Sequence, residues 1–351
     1  MTQPFTTRLN WRMQQPLLTF TDIGMYCPPA DVYIDPWRAA PRALITHGHA
    51  DHARWGHQHY LCTRAAQPVI RHRIGPVSIQ TLEYGEPLYI HGVRFSFHPA
   101  GHVVGSAQIR VEYKGEVWVV SGDYKLEDDG LSGVFEPLRC HTFVTESTFG
   151  LPVYQWKPQE AVFADINAWW LNNQAQDKVS VITAYALGKA QRILKGLDTS
   201  IGPVYTHGAV EQINEIIRAQ GIDLPPTRQV LPGMRRQDYS GSLVIAPPAA
   251  VGSAWMRPFK SVSLGVASGW MALRGARRRR NADRGFILSD HADWPALNQA
   301  IRESGAQRVV VTHGYTEIFS RWLESQGYEA KAEKTEFEGE VIDPAETDVK
   351  E

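Results

Sequence analysis

Three histidines and one aspartate fall within six residues in the stretch HGHADH, His47 to His52, directly after the apolar run RALIT. Side chains two apart on an extended segment share a face, so His47 and His49 can aim their imidazoles into one crevice. Asp51 and His52 follow at once, where the chain is expected to turn into a helix through DHARWGHQHY. Nitrogen and oxygen donors with no thiolate among them suit one or two divalent ions such as zinc, manganese or iron. A solvated polar turn would account for one such histidine, but not for this density at the end of a strand.

Further donors have the same setting. His102 sits in HPAGHVVGSAQ, Asp123 closes VWVVSGD, Asp35 ends VYID and Glu146 ends HTFVTEST. His291 follows GFILSD, and His313 ends RVVVTH. Acids and histidines at the ends of so many apolar runs are what a ligand-binding rim requires. Any one could be a helix cap or turn residue, Asp35 before Pro36 most plainly. Their joint occurrence argues for metal. Because the donors lie in residues 1–150 and again in 285–315, one shared site requires the middle of the chain to be an insertion into a discontinuous domain.

The elements that must position these groups can be read along the chain. LLTFTD (17–22), VYID (32–35), RALIT (42–46), VRFSFHPA (93–100), AQIRVEY (107–113) and EVWVVSGD (116–123) are short apolar or alternating runs bounded by Gly, Pro and Asp, the pattern of strands. From about residue 151 helical periodicity alternates with strand-like runs, as in KVSVITAYALGKAQRILKGL (178–197) and GPVYTHGAVEQINEIIRAQG (202–221). That alternation predicts a parallel sheet with flanking helices. Residues 285–325 return to strand-then-helix units. The fold class is therefore α/β.

The bulk composition is that of a folded chain of 351 residues, 43% hydrophobic and 21% charged, with a formal net charge of -1. Total charge does not announce a nucleic-acid partner, which has to be argued from local patches. Cys27, Cys62 and Cys140 form no CxxC pair, which suits a reducing compartment. The first residues lack the apolar centre of a signal peptide, and no apolar run is long enough for a membrane span, so a cytoplasmic protein without membrane contact is expected.

HGHADH, GHVVGS, SGD, TEST, SDHAD and VTHG, in this order, resemble the metallo-β-lactamase superfamily and, more narrowly, its β-CASP nucleic-acid-processing branch. The chain looks most like bacterial ligase-associated DNA exonucleases, relatives of cross-link repair nucleases and mRNA 3′-end processing factors. The resemblance implies an αββα sandwich built from residues 1–155 and 282–340, an inserted α/β (β-CASP) substrate-binding domain at 156–281, and an acidic tail at 341–351. It implies that His47, His49 and His102 hold one metal, and that Asp51, His52 and His313 hold a second, with Asp123 bridging. Zinc is expected, with manganese as an alternative. Asp35 would orient ligand imidazoles through a hydrogen bond, and Glu146 with His291 would be the branch-specific acid and base pair. At His313 the chain has the residue of the RNA-processing members, where cross-link repair enzymes carry an apolar one.

Two such metals about 4 Å apart can share a hydroxide and aim it at phosphorus. The leaving alkoxide then needs a proton, for which His291 held by Glu146 is the candidate donor. Substrate contacts are expected in the middle segment. Gly188, Lys189 and Gln191 open a helix after a strand, a natural anion site. Ser268 and Gly269 resemble the branch's Ser-Gly turn. Arg274, Arg277, Arg278, Arg279, Arg280 and Arg284 follow within eleven residues, suited to bidentate phosphate contacts. Trp270, His57, His98 and His207 are read as structural. The expected function is a two-metal DNA exonuclease in repair, acting on single strands or ends, with a DNA ligase and a repair helicase as functional partners. An RNA-processing nuclease, a thioester or lactone hydrolase and a non-catalytic binding module are the alternatives. Intact ligands argue against the last, and the insertion and arginine run against the hydrolase.

Overall fold

The computed structural model describes residues 16–273 and 282–336. The first strands, β1 (Thr19–Phe20), β2 (Met25–Cys27), β3 (Val32–Ile34), β4 (Arg42–Leu44), β5 (His59–Thr63) and β6 (Ile79–Leu82), form one sheet in chain order. Its early pairs are antiparallel and those from β3 to β6 parallel. Helix α1 (Gln67–Ile74) fills the crossover between β5 and β6. A second sheet starts as an antiparallel meander of β7 (Leu88–Ile90), β8 (Val93–Pro99), β9 (Ala107–Tyr113) and β10 (Glu116–Val120), and β11 (Thr142–Ser147) then joins β10 in parallel.

The chain next leaves this body to build a third sheet. After α2 (Gln159–Ala175) come β12 (Val179–Thr183), α3 (Lys189–Gly196), β13 (Val204–Thr206) and α4 (Gly208–Ala219). They are followed by β14 (Arg228–Gln229), β15 (Leu243–Ala246), β16 (Val262–Ala267) and β17 (Arg284–Phe286). All pairs in this sheet are parallel, in the order β14-β13-β15-β12-β16-β17. The chain then returns. β18 (Arg308–Gly314) pairs with β11, and β19 (Glu329–Ala332) pairs with β18, both in parallel. Helices Trp294–Ser304 and Thr316–Ser325 precede these two strands.

Period-two alternation explains why the body has layers. Trp118 and Val120 on β10 face Leu44, Leu61 and Met25 of the first sheet, in a core between the two sheets. Val119 between them packs outward with Leu297, Ile301 and Phe319 of the two late helices. On the other side Ala43, Tyr60 and Cys62 pack against Ile70 and Ile74 of α1. The result is helix, sheet, sheet, helix. The third-sheet unit docks on this body through Leu187 and Ile213, which share a core with Val69 of α1 and Val103.

Two expectations need correcting. No helix runs through DHARWGHQHY: the chain makes a turn at residues 50–53 and enters β5 at His59. The backbone is claimed by other partners, because Tyr60 pairs with Ala43 and its hydroxyl both donates to the Arg54 carbonyl and accepts from the His57 N–H. The third sheet also runs past residue 282, since β17 pairs with β16 through Phe286. Among the described residues no helix is long and apolar enough to cross a membrane.

Candidate metal centre

Asp35, immediately after β3, is fully buried and has a positive φ of 42°. Its carboxylate accepts from the Thr46 N–H (2.8 Å), the Thr46 hydroxyl (2.5 Å) and His52 Nδ1 (2.8 Å). With its proton committed to Asp35, the Thr46 oxygen can only accept from His47 Nδ1 at 3.0 Å. Two imidazoles are thereby fixed in one tautomer, with Nε2 left to face the site. His102 is fixed the same way by the Asp290 carbonyl, which lies 2.8 Å from its Nδ1. For His49 the ring is reversed: Nε2 lies 3.2 Å from the Leu187 carbonyl, and Nδ1 faces inward.

The inward-facing atoms converge. Ligand atoms of His47, His49, His102 and Asp123 all lie within 4.8 Å of one another, as do those of Asp51, His52 and His313. Asp123 stands between the groups. Its Oδ2 is 3.5 Å from Nε2 of both His47 and His52 and 3.8 Å from that of His102, and its Oδ1 is 3.5 Å from His313 Nδ1. The donor set fits divalent cations on a specific observation. His49 Nδ1 and His102 Nε2 lie 3.0 Å apart, and each ring has already spent its N–H on a carbonyl, so two lone pairs oppose each other. Buried His47 Nε2 and Asp123 Oδ1 also have no hydrogen-bond partner among the described residues. Lone pairs that repel without a cation attract one.

The charges sort themselves accordingly. Burial drives His47 well below its ordinary value, drives His102 down to about 3, and lowers His49 as well. At His52 the same burial is outweighed by Asp123, Asp51 and Asp35, which raise it well above. Asp123 is held well below the carboxylate range: burial opposes this, but His52, His291 and His313 outweigh it. Neutral imidazoles and ionised carboxylates are the ligating forms, so His47, His49, His102 and Asp123 are already in them. His52 instead has to give up its proton to a cation that takes the proton's place beside the carboxylates.

Glu146, the penultimate residue of β11, is buried and accepts from the Tyr124 N–H (2.9 Å), the Thr148 hydroxyl (2.5 Å) and His291 Nδ1 (2.8 Å). His291 lies against the ring of His102, centroids 4.6 Å apart, and its carbonyl is held by the Trp156 indole N–H. Burial works against its charge, but Glu146 and Asp123 outweigh burial and lift it to about 10.

The expected phosphate contacts of the middle segment need correcting. Lys189 is fully buried, with its ammonium 3.2 Å from Asp290 Oδ1. Gln191 is buried and caps its own helix, accepting from the Gly188 N–H (2.8 Å) and donating to Asn214. Gly188 has φ 89°, and a side chain there would strike Val103, so it serves the packing of the insertion on the body. The Ser268 hydroxyl accepts from the Trp270 N–H, and a Cβ on Gly269 would strike the Phe149 ring. The side chains of Lys189, Gln191 and Ser268 are buried and turned to partners within the protein, and Gly188 is half-buried. Arg274, Arg277, Arg278, Arg279 and Arg280 lie outside the described residues, as does the 341–351 tail, and Arg284 is exposed at the start of β17. Trp270 is buried against Phe149 and Tyr154. His57 accepts from the Ala40 N–H, His98 bonds Ser96 and Glu136, and His207 caps α4.

Thr46, Leu187 and Asp290 are functional neighbours that sequence reasoning misses. Thr46 and Asp290 each stand directly before a named histidine, a usable signal. The Leu187 contribution is a backbone carbonyl and leaves no trace in composition.

No family model matches the chain. A probable DNA ligase of Opitutus terrae is 31% identical over 313 residues, 88% of this chain but 30% of the ligase. The endoribonuclease ysh1 of Schizosaccharomyces pombe is 32% identical over 123 residues, 34% of this chain and 16% of that protein. Cleavage and polyadenylation specificity factor 73 of Drosophila melanogaster is 28% identical over a similar stretch, 34% of this chain and 18% of the factor. The chain therefore spans less than a third of the length of these curated relatives. A crystal structure of a protein of unknown function from Enterococcus faecalis shares the fold, with a TM-score of 0.54 at 10% identity over 77% of this chain and 74% of that one. The buried His/Asp centre at the rim of the two-sheet body is a cluster that could hold metal ions. These relatives support the resemblance of the motifs to the β-CASP branch of the metallo-β-lactamase superfamily.

Proposed function

We propose that the chain is a two-metal phosphodiesterase acting on nucleic acid, and that it trims DNA as an exonuclease in repair. In this reading the layered body is the metallo-β-lactamase sandwich, and the third-sheet unit is the β-CASP insertion. His47, His49 and His102 would hold one cation and Asp51, His52 and His313 the other, with Asp123 touching both; zinc or manganese suits a donor set of nitrogen and oxygen. When bound, such ions activate water and neutralise charge on phosphoryl oxygens.

The observation that carries the reading is the 2.8 Å contact of His291 with Glu146, inside the same buried cluster as Asp123. A charged imidazolium at this place donates a proton to the oxygen that leaves phosphorus, and Glu146 both orients the ring and keeps it charged. Asp35 acts through Thr46 and His52, holding ligand rings in position. The DNA assignment is supported by the ligase relative that matches 88% of the chain, whereas the endoribonuclease relatives match 34%. Association with a ligase and a repair helicase belongs to the same reading. An RNA substrate is the second reading, favoured by the endoribonuclease relatives and by His313.

Matched single-stranded DNA and RNA, labelled at either end and incubated with metal-loaded protein, test both. A ladder from DNA that retreats from one end is expected. Cleavage of RNA alone would transfer the assignment to RNA, and cleavage of neither would sink the phosphodiesterase reading.

A further inference from the structure

The cavity that opens onto the metal centre has a volume of about 760 Å³ and is lined by His49, Asp123 and His291. It is also lined by Trp55, Arg54 and Arg73, which none of the chemistry above uses. Trp55 is 77% exposed, the largest exposure of any large apolar side chain described. A tryptophan in that state is uncommon enough to require a reason.

Fraying does not supply one. The residues on either side of Trp55 are pinned to the body. Arg54 donates to the carbonyls of Asp51 (3.2 Å), Trp37 (3.4 Å) and Glu336 (2.7 Å), and its own carbonyl accepts from the Tyr60 hydroxyl (2.9 Å). Two residues on, the His57 N–H donates to the same hydroxyl, and the His57 ring accepts from the Ala40 N–H. The indole is thus presented to the cavity by a fixed loop only three residues beyond His52. Arg73 is fixed in the wall of the same cavity, its guanidinium donating to the Gly48 carbonyl at 2.5 Å within the metal-ligand loop.

We propose that Trp55 is the stacking platform for one nucleobase of a single-stranded substrate, with Arg73 in the wall of the same cavity facing the substrate backbone. The inference rests on the phosphodiesterase reading and narrows it. An aromatic face next to fixed positive charge is how single strands are held without sequence preference, since every base has a π-face and every link a phosphate. A cavity of this volume is of the size that holds a small ligand such as one nucleotide. Within a duplex both faces of each base are covered by its stacked neighbours, so a base has to leave the stack to lie on the indole. The strand must therefore enter unpaired, with one particular nucleotide, at a fixed distance from the scissile link, lying on the indole.

That fixed distance makes the test specific. A set of single-stranded oligonucleotides, each with one abasic position stepped away from the scissile link, is cleaved by the wild-type chain and by Trp55→Ala and Trp55→Phe. In the wild type, kcat/KM is expected to fall about ten-fold at one abasic position, the size of one base–aromatic stack. Trp55→Ala should show a similar fall on intact substrate and no further penalty at that position, while Trp55→Phe keeps most of the wild-type pattern. If Trp55→Ala retains the full position-specific penalty, so that its loss relative to wild type is the same on every substrate, the platform is wrong and the phosphodiesterase reading survives. If the wild type cleaves no oligonucleotide, both fall together.

Discussion

The Lys189 ammonium lies 3.2 Å from Asp290 Oδ1, and both side chains are cut off from solvent. The pair joins α3 of the insertion to the residue whose carbonyl holds His102 and whose successor is His291. Removing one partner of a buried ion pair leaves an uncompensated charge and costs about 3–5 kcal/mol. Lys189→Met is therefore expected to unfold at markedly lower urea, and Lys189→Met with Asp290→Asn to recover much of the loss. A Lys189→Met protein of wild-type stability with weakened substrate binding would instead return Lys189 to the phosphate-binding role.

Glu146 and His291 make a prediction with a sign. A proton donor works only below its own pKa, and Glu146 helps hold His291 at about 10, so the alkaline limb of kcat should lie far up the pH scale. Glu146→Gln removes the carboxylate that favours the charged ring. The limb should then move to lower pH, visible in kcat profiles of the two proteins. His291→Ala should keep its metals by elemental analysis and lose about 10²- to 10⁴-fold in kcat, the usual weight of general acid catalysis. Metal loss in that variant would make His291 a ligand.

Asp35 should matter without touching substrate. It receives His52 directly and His47 through the Thr46 hydroxyl, so its loss frees two rings to rotate. Asp35→Ala is expected to weaken metal affinity about 10- to 100-fold, measured by competition with a chelator. Wild-type affinity would show that packing alone orients the rings.

Much of this centre is legible in the sequence because its groups sit at the ends of apolar strands, where sequence order says little but strand ends meet in space. His47 and Asp123 lie three residues beyond the ends of β4 and β10, His313 is the penultimate residue of β18, and the sheet topology brings these strand ends to one rim. Periodicity likewise announces the parallel third sheet. Burial is harder to read. Lys189 and Gln191 have the composition of a helix start that binds anions, and only the docking of α3 against Val103 and Asp290 turns them inward. The helix expected after Asp51 fails for a similar reason. Its residues tolerate a helix, but the ties of His52 to Asp35 and of Tyr60 to Ala43 commit the segment elsewhere. Trp55 carries no signal of its own, because nothing in a chain with 11 tryptophans marks which of them stays at the surface, and exposure is a property of the fold.

The arginine run makes a prediction in salt. With Lys189 paired internally, the positive charge for a polyanion must come from elsewhere, and Arg277, Arg278, Arg279 and Arg280 are four consecutive cations in an otherwise nearly neutral chain. Each phosphate neutralised on a single strand contributes about 0.7 to the slope of log K against log salt concentration. Replacing all four by Gln should weaken binding of an oligonucleotide at low salt and flatten that slope by about 0.7 for every phosphate that is no longer neutralised. The effect should be indifferent to base sequence, because phosphates carry no sequence information. An unchanged slope in fluorescence anisotropy titrations would mean that the run does not meet the strand, and would leave Arg73 and Arg54, in the walls of the metal cavity, as its nearest cationic contacts.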